Sequence, residues 1–329
     1  MSQDISNLQV QSFGQNFYTN VELAGGLLRP HTTIVGSQFG TMPYRESGIY
    51  PVFQGGGLPT EELTRFGKTP ISEADYENRK IARSFYSDGF FIDWKDVETI
   101  AVDLKHPKMM NAVNKFKRQE DINVIKALLG TAQGGNLGAT SVPFDTANVV
   151  DVATGGTGNQ GMNYVKFLAL KESLALADVD VQYGAKPVIV MSPTQFYNEL
   201  YQDERFINSS YYQFAKGTSG QDVKEFMDCT IVCMNNTPWM NTAGTGASIG
   251  TDGFNTLGNS VDVDSTDIRA CFGFMPDAAM LEISPDIQSS IRPDITRGDN
   301  PLAYLKYGVG SVRMEEAKVW LLPCDESPA

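Results

Sequence analysis

The chain has 329 residues, 41% hydrophobic and 20% charged: the composition of an ordinary folded protein, with length for one large or two ordinary domains. Its formal net charge of −13 argues against a surface built to bind DNA or RNA and against docking on an anionic membrane. No apolar run is long enough for a bilayer span, residues 1–4 open no secretory signal, and Cys229, Cys233, Cys271 and Cys324 form no CxxC pair, so they read as free thiols in a reducing compartment.

Residues 1–45 are polar, with short apolar spots at Val21, Leu23, Leu27 and Leu28 and no sustained period. They read as an extended arm with little core of its own, either disordered or ordered by lying along another part of an assembly. In residues 46–93, glycine-rich breakers at 55–57 and 67–70 separate strand-like runs, and charges of both signs crowd the stretch from Glu61 to Lys80. This predicts a long projecting hairpin with a charged tip, too polar to be stable alone and steadied by a neighbour. Its return strand leads into Phe90-Phe91-Ile92-Asp93-Trp94.

The spacing then predicts the longest helix, Pro107 to Leu129, with Pro107 in first position and a left-handed Gly130 as its stop. At 1.5 Å per residue it spans about 34 Å. One apolar stripe, Met109, Met110, Val113 and Phe116, is interrupted by Glu120 and continues as Val124, Ala127 and Leu128. A second, Ile122, Ile125 and Leu129, lies on the other side, so the segment reads as a spine flanked by other elements toward its C-terminal end.

A glycine-rich loop follows at 133–138, then an extended run from Val142 to Ala153. A second helix is expected from Met162 to Asp178 on the spacing Met162, Val165, Leu168, Glu172 and Leu176, with Leu170 and Leu174 as a flank. Val188–Met191 is a short buried strand, and Ser192-Pro193 starts a helix over Thr194–Tyr201. Thr230–Met234 reads as another buried strand, and residues 240–260 as a long surface insertion. Strands over Arg269–Met275, Met280–Ile283, Ile287–Arg292, Leu302–Val309 and Lys318–Leu322 predict a mostly antiparallel sheet.

Several stretches imitate chemical motifs. Gly156–Gly161 fits the G-x-G-x-x-G fingerprint, whose glycines let a pyrophosphate approach a helix N-terminus, but the strand–helix alternation stops after one unit, so a loop before a helix is the better reading. Gly246–Gly250 fits G-x-S-x-G, yet its flanks are loop, and His31 and His106 both precede the serine. These two histidines have no neighbour at metal-ligand spacing. Asp262–Asp267 lacks the turn glycine and terminal Glu of a calcium loop and reads as a solvated acidic loop. Asp93 and Asp96 read as an aromatic-anchored strand end rather than an acid–base pair, and Lys68 as a surface lysine.

With no chemical site surviving, the order of parts becomes the signal: arm, charged hairpin, spine helix, mixed lobe, strand-rich C-terminus. It resembles the major capsid protein of tailed bacteriophages with the Hong Kong 97 fold, the short-tailed phages above all. Arg79-Lys80-Ile81 leading to Phe91–Asp96 is similar to the return strand of that family's E-loop, and Pro107–Leu129 to its spine helix. Pro187–Phe196 resembles the strand-to-helix turn of its axial domain, Asn235–Pro238 a later turn there, and Ala303–Gly308 onward to Glu315 the closing peripheral segment.

The resemblance implies an α+β fold: an N-terminal arm (1–45), an E-loop hairpin (46–93), a peripheral domain (94–138 and 286–329) and an axial domain (139–285). The insertion at 240–260 is not a general feature of that family. It implies a subunit that self-assembles into hexamers and pentamers of an icosahedral shell enclosing double-stranded phage DNA, without catalysis, cofactor, metal or membrane. A separate scaffolding protein and a portal protein are implied as partners, a decoration protein is left open, and the expected location is the virion after assembly in the host bacterial cytoplasm. The candidates for inter-subunit contact are Glu61, Glu62, Arg65, Lys68, Glu73, Asp75, Arg79 and Lys80, since charges of both signs set register between copies. The alternative is a nucleotide-dependent α/β enzyme using Gly156–Gly161.

Overall fold

The computed structural model describes residues 26–34, 47–54, 75–91, 105–177, 179, 186–204, 225–235, 237–240, 254–255, 268–283, 288–294 and 300–326. In chain order the strands begin β1 (Thr33–Ile34), β2 (Ser47–Gln54), β3 (Asp75–Ala82) and β4 (Ser84–Phe91), followed by helix α1 (Lys105–Leu129). Next come β5 (Ala132–Gly134), β6 (Thr140–Val142), helix α2 (Tyr164–Leu176), β7 (Val188–Met191), β8 (Glu225–Phe226), β9 (Cys229–Cys233), β10 (Trp239–Met240) and β11 (Phe254–Asn255). The last strands are β12 (Ile268–Phe274), β13 (Ala279–Ile283), β14 (Gln288–Asp294), β15 (Asn300–Arg313) and β16 (Val319–Asp325).

Helix α1 begins two residues before the expected Pro107, which is tolerated because the first four N–H groups of a helix have no intrahelical partner. Gly130 ends it, but not by a left-handed turn, since its φ is not positive. The requirement is steric: a Cβ there would lie 2.4 Å from the Lys126 carbonyl oxygen, while Gly130 N–H donates to that same oxygen at 2.9 Å. Val113, Phe116, Val124 and Leu128 of one predicted stripe and Ile125 and Leu129 of the other are buried, while Met110, Ala127 and Ile122 are half-buried.

The described strands form three sheets. In one, β13 and β14 flank β15, β1 adds in parallel to β13, and β4 pairs with the first half of β15. Side chains alternate across β15: Ser311 and Arg313 reach α1, while Gly310 lies under β3. The spine and the hairpin base therefore occupy opposite faces of one sheet. The hairpin is β2 paired with β3, extended by β5 and β6 into a second sheet, and a small cluster of Val52, Ile81, Ala132, Val312 and Met314 seals it onto the first.

The third sheet has the order β11-β10-β12-β7-β9-β8, with β16 on β12. Val188–Met191 is buried at every position, as its continuous apolar run predicts, and β7 pairs in parallel with β9. Ser192 caps the following turn by accepting the Gln195 N–H at 3.2 Å, but that segment is a π-helix over Gln195–Glu199 and then a 3₁₀ turn, not an α-helix. The expected extended run at 142–153 is turns after β6, touching the sheet at one bridge, Val149 to Leu321.

Two boundaries move. The division at 285/286 is crossed in both directions, since β13 belongs to the sheet of β15 and β16 to that of β12. Within the 240–260 insertion, Phe254–Asn255 returns to pair with β10. Pairing between strands remote in sequence leaves no local mark, so a cut by position at 285/286 divides the sheets.

Helix α2 also presents a face other than the one expected. Phe167, Leu170 and Leu174 are buried with Lys166, whereas Leu168 and Leu176 are exposed. The buried stripe contains a lysine, which disguises it.

Candidate functional site

The arm meets its own subunit where the α1 stripe is interrupted. Leu28 is fully buried in the main core, worth about 1.5–3 kcal/mol for a side chain of its size. Its N–H donates to Asp121 Oδ1 at 2.9 Å, and Arg29 lies 3.8 Å from the buried Glu120. Burial raises the Asp121 pKa, while N–H bonds from Leu28 and Leu27 oppose the rise. Among residues 26–34 only Gly26 and Leu28 are buried, in keeping with an arm that has little core of its own, and Glu120 and Asp121 of the spine are their seat. Residues 1–25 and 35–46 lie outside the described residues.

Of the eight contact candidates, Glu61, Glu62, Arg65, Lys68 and Glu73 lie outside the described residues, and Asp75 is placed only as the start of β3. Arg79 is a correction: it is only 5% exposed, faces Gly134 and pairs with Glu77 of its own strand, because alternate β3 residues turn inward onto the sheet beneath. Lys80 points the other way, opposite Ile49 and against Gly138. At the foot of the hairpin, Arg83 and Glu282 form a nearly dry ion pair at 2.5 Å.

The motif lookalikes resolve differently. The α2 N-terminus that a pyrophosphate would need is already filled: Asn163 accepts the Lys166 N–H and Asp203 the Tyr164 N–H, both at 2.9 Å. The preceding loop folds on itself, with Gln160 Nε2 bonded to the carbonyls of Thr157, Gly158 and Asn159. This geometry gives the nucleotide-enzyme alternative no support. Gly246–Gly250, Asp262–Asp267, Asp93 and Asp96 lie outside the described residues. Among the described residues no cluster of His, Cys, Asp or Glu could hold a metal ion, and no helix is long and apolar enough to cross a membrane. All four cysteines are free thiols.

Sequence reasoning missed two buried cations. Lys166 Nζ donates to Gln160 O at 2.7 Å and Pro323 O at 2.6 Å, and burial lowers its pKa. A lysine inside an apolar helical stripe was the available signal. Arg313 donates to the carbonyls of Leu128, Gly130, Val142 and Pro143 at 2.7 to 3.2 Å, and burial lowers its pKa as well. No local pattern announces it.

Known proteins supply the context for this architecture. The chain is similar in fold to the capsid of Ralstonia phage GP4, at 12% identity with a TM-score of 0.63, covering 91% of this chain and 89% of that one. It is similar to the cyanophage Pam1 capsid, at 12% identity and a TM-score of 0.59, covering 93% of each chain. The capsid of cyanophage P-SCSP1u gives 14% identity and a TM-score of 0.56 over 90% of this chain and 87% of that one. Among curated proteins no sequence matches. The model of a family described as phage capsid protein matches residues 7–326. The spine, the crossing hairpin and the two-lobed sheet arrangement are therefore a capsid subunit with the Hong Kong 97-type fold, a structural protein of the virion shell, and the chain belongs to the phage capsid protein family.

Proposed function

We propose that copies of this chain assemble, in the host bacterial cytoplasm, into hexamers and pentamers that close an icosahedral shell around double-stranded phage DNA, with no catalytic role. The observation that carries this reading is the extent of the family match, residues 7–326, which takes in the arm, hairpin and both lobes. Residues 60–80 reach over an adjacent subunit, with Glu61, Glu62, Arg65, Lys68, Glu73, Asp75 and Lys80 setting its register. The arm, anchored on its own subunit at 26–34, runs along a neighbour elsewhere, and the lobe at 139–285 packs around the local symmetry axis. A scaffolding protein and a portal protein complete the assembly.

Electron microscopy of the purified, self-assembled protein tests this: closed shells with fivefold and sixfold capsomers are expected, and fibres or isolated trimers would refute it. Cofactor titration guards the other side, since saturable nicotinamide or flavin binding abolished by Gly158→Asp would restore the enzyme reading.

A further inference from the structure

We infer that the solvent face of α1 is a phosphate-contacting strip that lies against the backbone of the DNA the shell encloses, an inference that rests on the shell reading above. The net charge of −13 makes phosphate contact unfavourable for the molecule as a whole, so any close approach needs a local exception. Helix α1 is such an exception. It carries Lys105, Lys108, Lys115, Lys117, Arg118 and Lys126 against only two carboxylates, Glu120 and Asp121.

Both carboxylates are buried beneath the arm, where they engage Arg29 and the Leu28 N–H instead of facing solvent. The outer face is thereby stripped of its own acids. At about 100° per residue, Lys108, Lys115, Arg118 and Lys126 fall within roughly 80° of one another around the axis and extend over about 27 Å. Lys115, Arg118 and Lys126 are exposed, with exposed Asn111 and Asn114 beside them. Lys115 also pairs with Asp88 at 2.9 Å, an exposed contact that competing phosphate can replace. The hairpin base crosses the opposite face of the sheet from α1.

A straight cationic band with amide side chains at its edge suits a regular row of phosphates and reads no sequence. The same charge could attract an acidic polypeptide, and the test separates the two. Binding of a short random-sequence duplex to the unassembled full chain is measured by fluorescence anisotropy from low salt (about 50 mM) upward. The wild type is expected to bind with a steep salt dependence. The triple variant Lys115→Gln/Arg118→Gln/Lys126→Gln should flatten the log–log salt slope by about 2.7, at ~0.9 per phosphate contact, and weaken low-salt binding at least about tenfold. Lys186→Gln, at an exposed lysine paired with Glu225, should bind as the wild type does. All three strip residues are exposed, and circular dichroism confirms that the variant folds. Absence of wild-type binding at low salt, or equal binding by the triple variant, overturns the assignment. So does a polyglutamate chain that competes as well as DNA at equal charge, because it would assign the strip to an acidic protein segment. Electron microscopy of the same preparations keeps the two readings apart: closed shells without DNA binding defeat only the strip, whereas failure of the wild type to form shells defeats the reading beneath it.

Discussion

Lys166 and Arg313 are the two largest charged side chains fully buried in the structure, one in each lobe, and both are held by backbone carbonyls from segments remote in sequence. Arg313 ties the end of α1 to the exit of β6, and Lys166 ties the loop before α2 to the last strand. In each place irregular backbone meets a sheet, and a buried cation supplies donors to its carbonyls. The two differ in reach. The planar guanidinium fork serves four carbonyls on two segments, whereas the ammonium serves two and lies 3.9 Å from Cys324 Sγ. The arm seat is the mirror image: there a buried anion, Asp121, receives backbone N–H groups.

If carbonyl satisfaction sets the scale, Arg313→Met has the largest effect. It takes the donor from four carbonyls, that of Leu128 buried and the other three part-buried, and should cost about 2–4 kcal/mol, read as a lowered urea midpoint. A loss below about 1 kcal/mol would show that the fork is replaceable. Lys166→Met takes the donor from Pro323 O, while Gln160 O keeps the Asp325 N–H and the stem's packing remains, so a loss of about 1–3 kcal/mol is expected. A larger loss than for Arg313→Met would reverse the ranking.

The anionic seat should respond to pH with a definite sign. Burial raises the Asp121 pKa in the docked arm above its ordinary 3.8, so docking favours the protonated form. Its contribution is complete below pH 3.8 and is lost as pH rises through the raised value. Hydrogen exchange at residues 26–34, corrected for intrinsic rates, should show protection falling over that window, and Asp121→Asn should remove the dependence. Protection that instead rises with pH would mean that the N–H bonds outweigh burial.

The smallest effect is a reporter. Burial pushes the Cys229 thiol up to about 11, leaving little thiolate at neutral pH, so alkylation of the native protein should be slow. Labelling should quicken in Lys166→Met, whose weakened tie lies in the same lobe, more than in Arg313→Met at matched overall stability. Equal acceleration would mean that the two lobes open as one unit.

What the sequence revealed followed the range of each interaction. The spine helix, the buried strand at 188–191 and the Ser192 cap rest on neighbours within a few residues and were legible. The α2 face was misread because its buried stripe holds Lys166, whose carbonyl partner on β16 lies 157 residues away. Arg79 looked like a surface charge because only the finished sheet shows which side of β3 turns inward. The anchoring of the arm hung on one leucine opposite two carboxylates, and no periodicity marks a single residue.

Gly310 carries a geometrical consequence for the particle. A Cβ at that position would sit 2.7 Å from the Ala82 carbonyl oxygen and 2.9 Å from Ile81, at the point where the hairpin crosses the sheet. One added methyl there would act as a wedge under a fulcrum: the foot of the hairpin would lift slightly, and its length would magnify the tilt toward the far end. A larger side chain at this crossing would therefore change the angle at which the hairpin leaves the sheet.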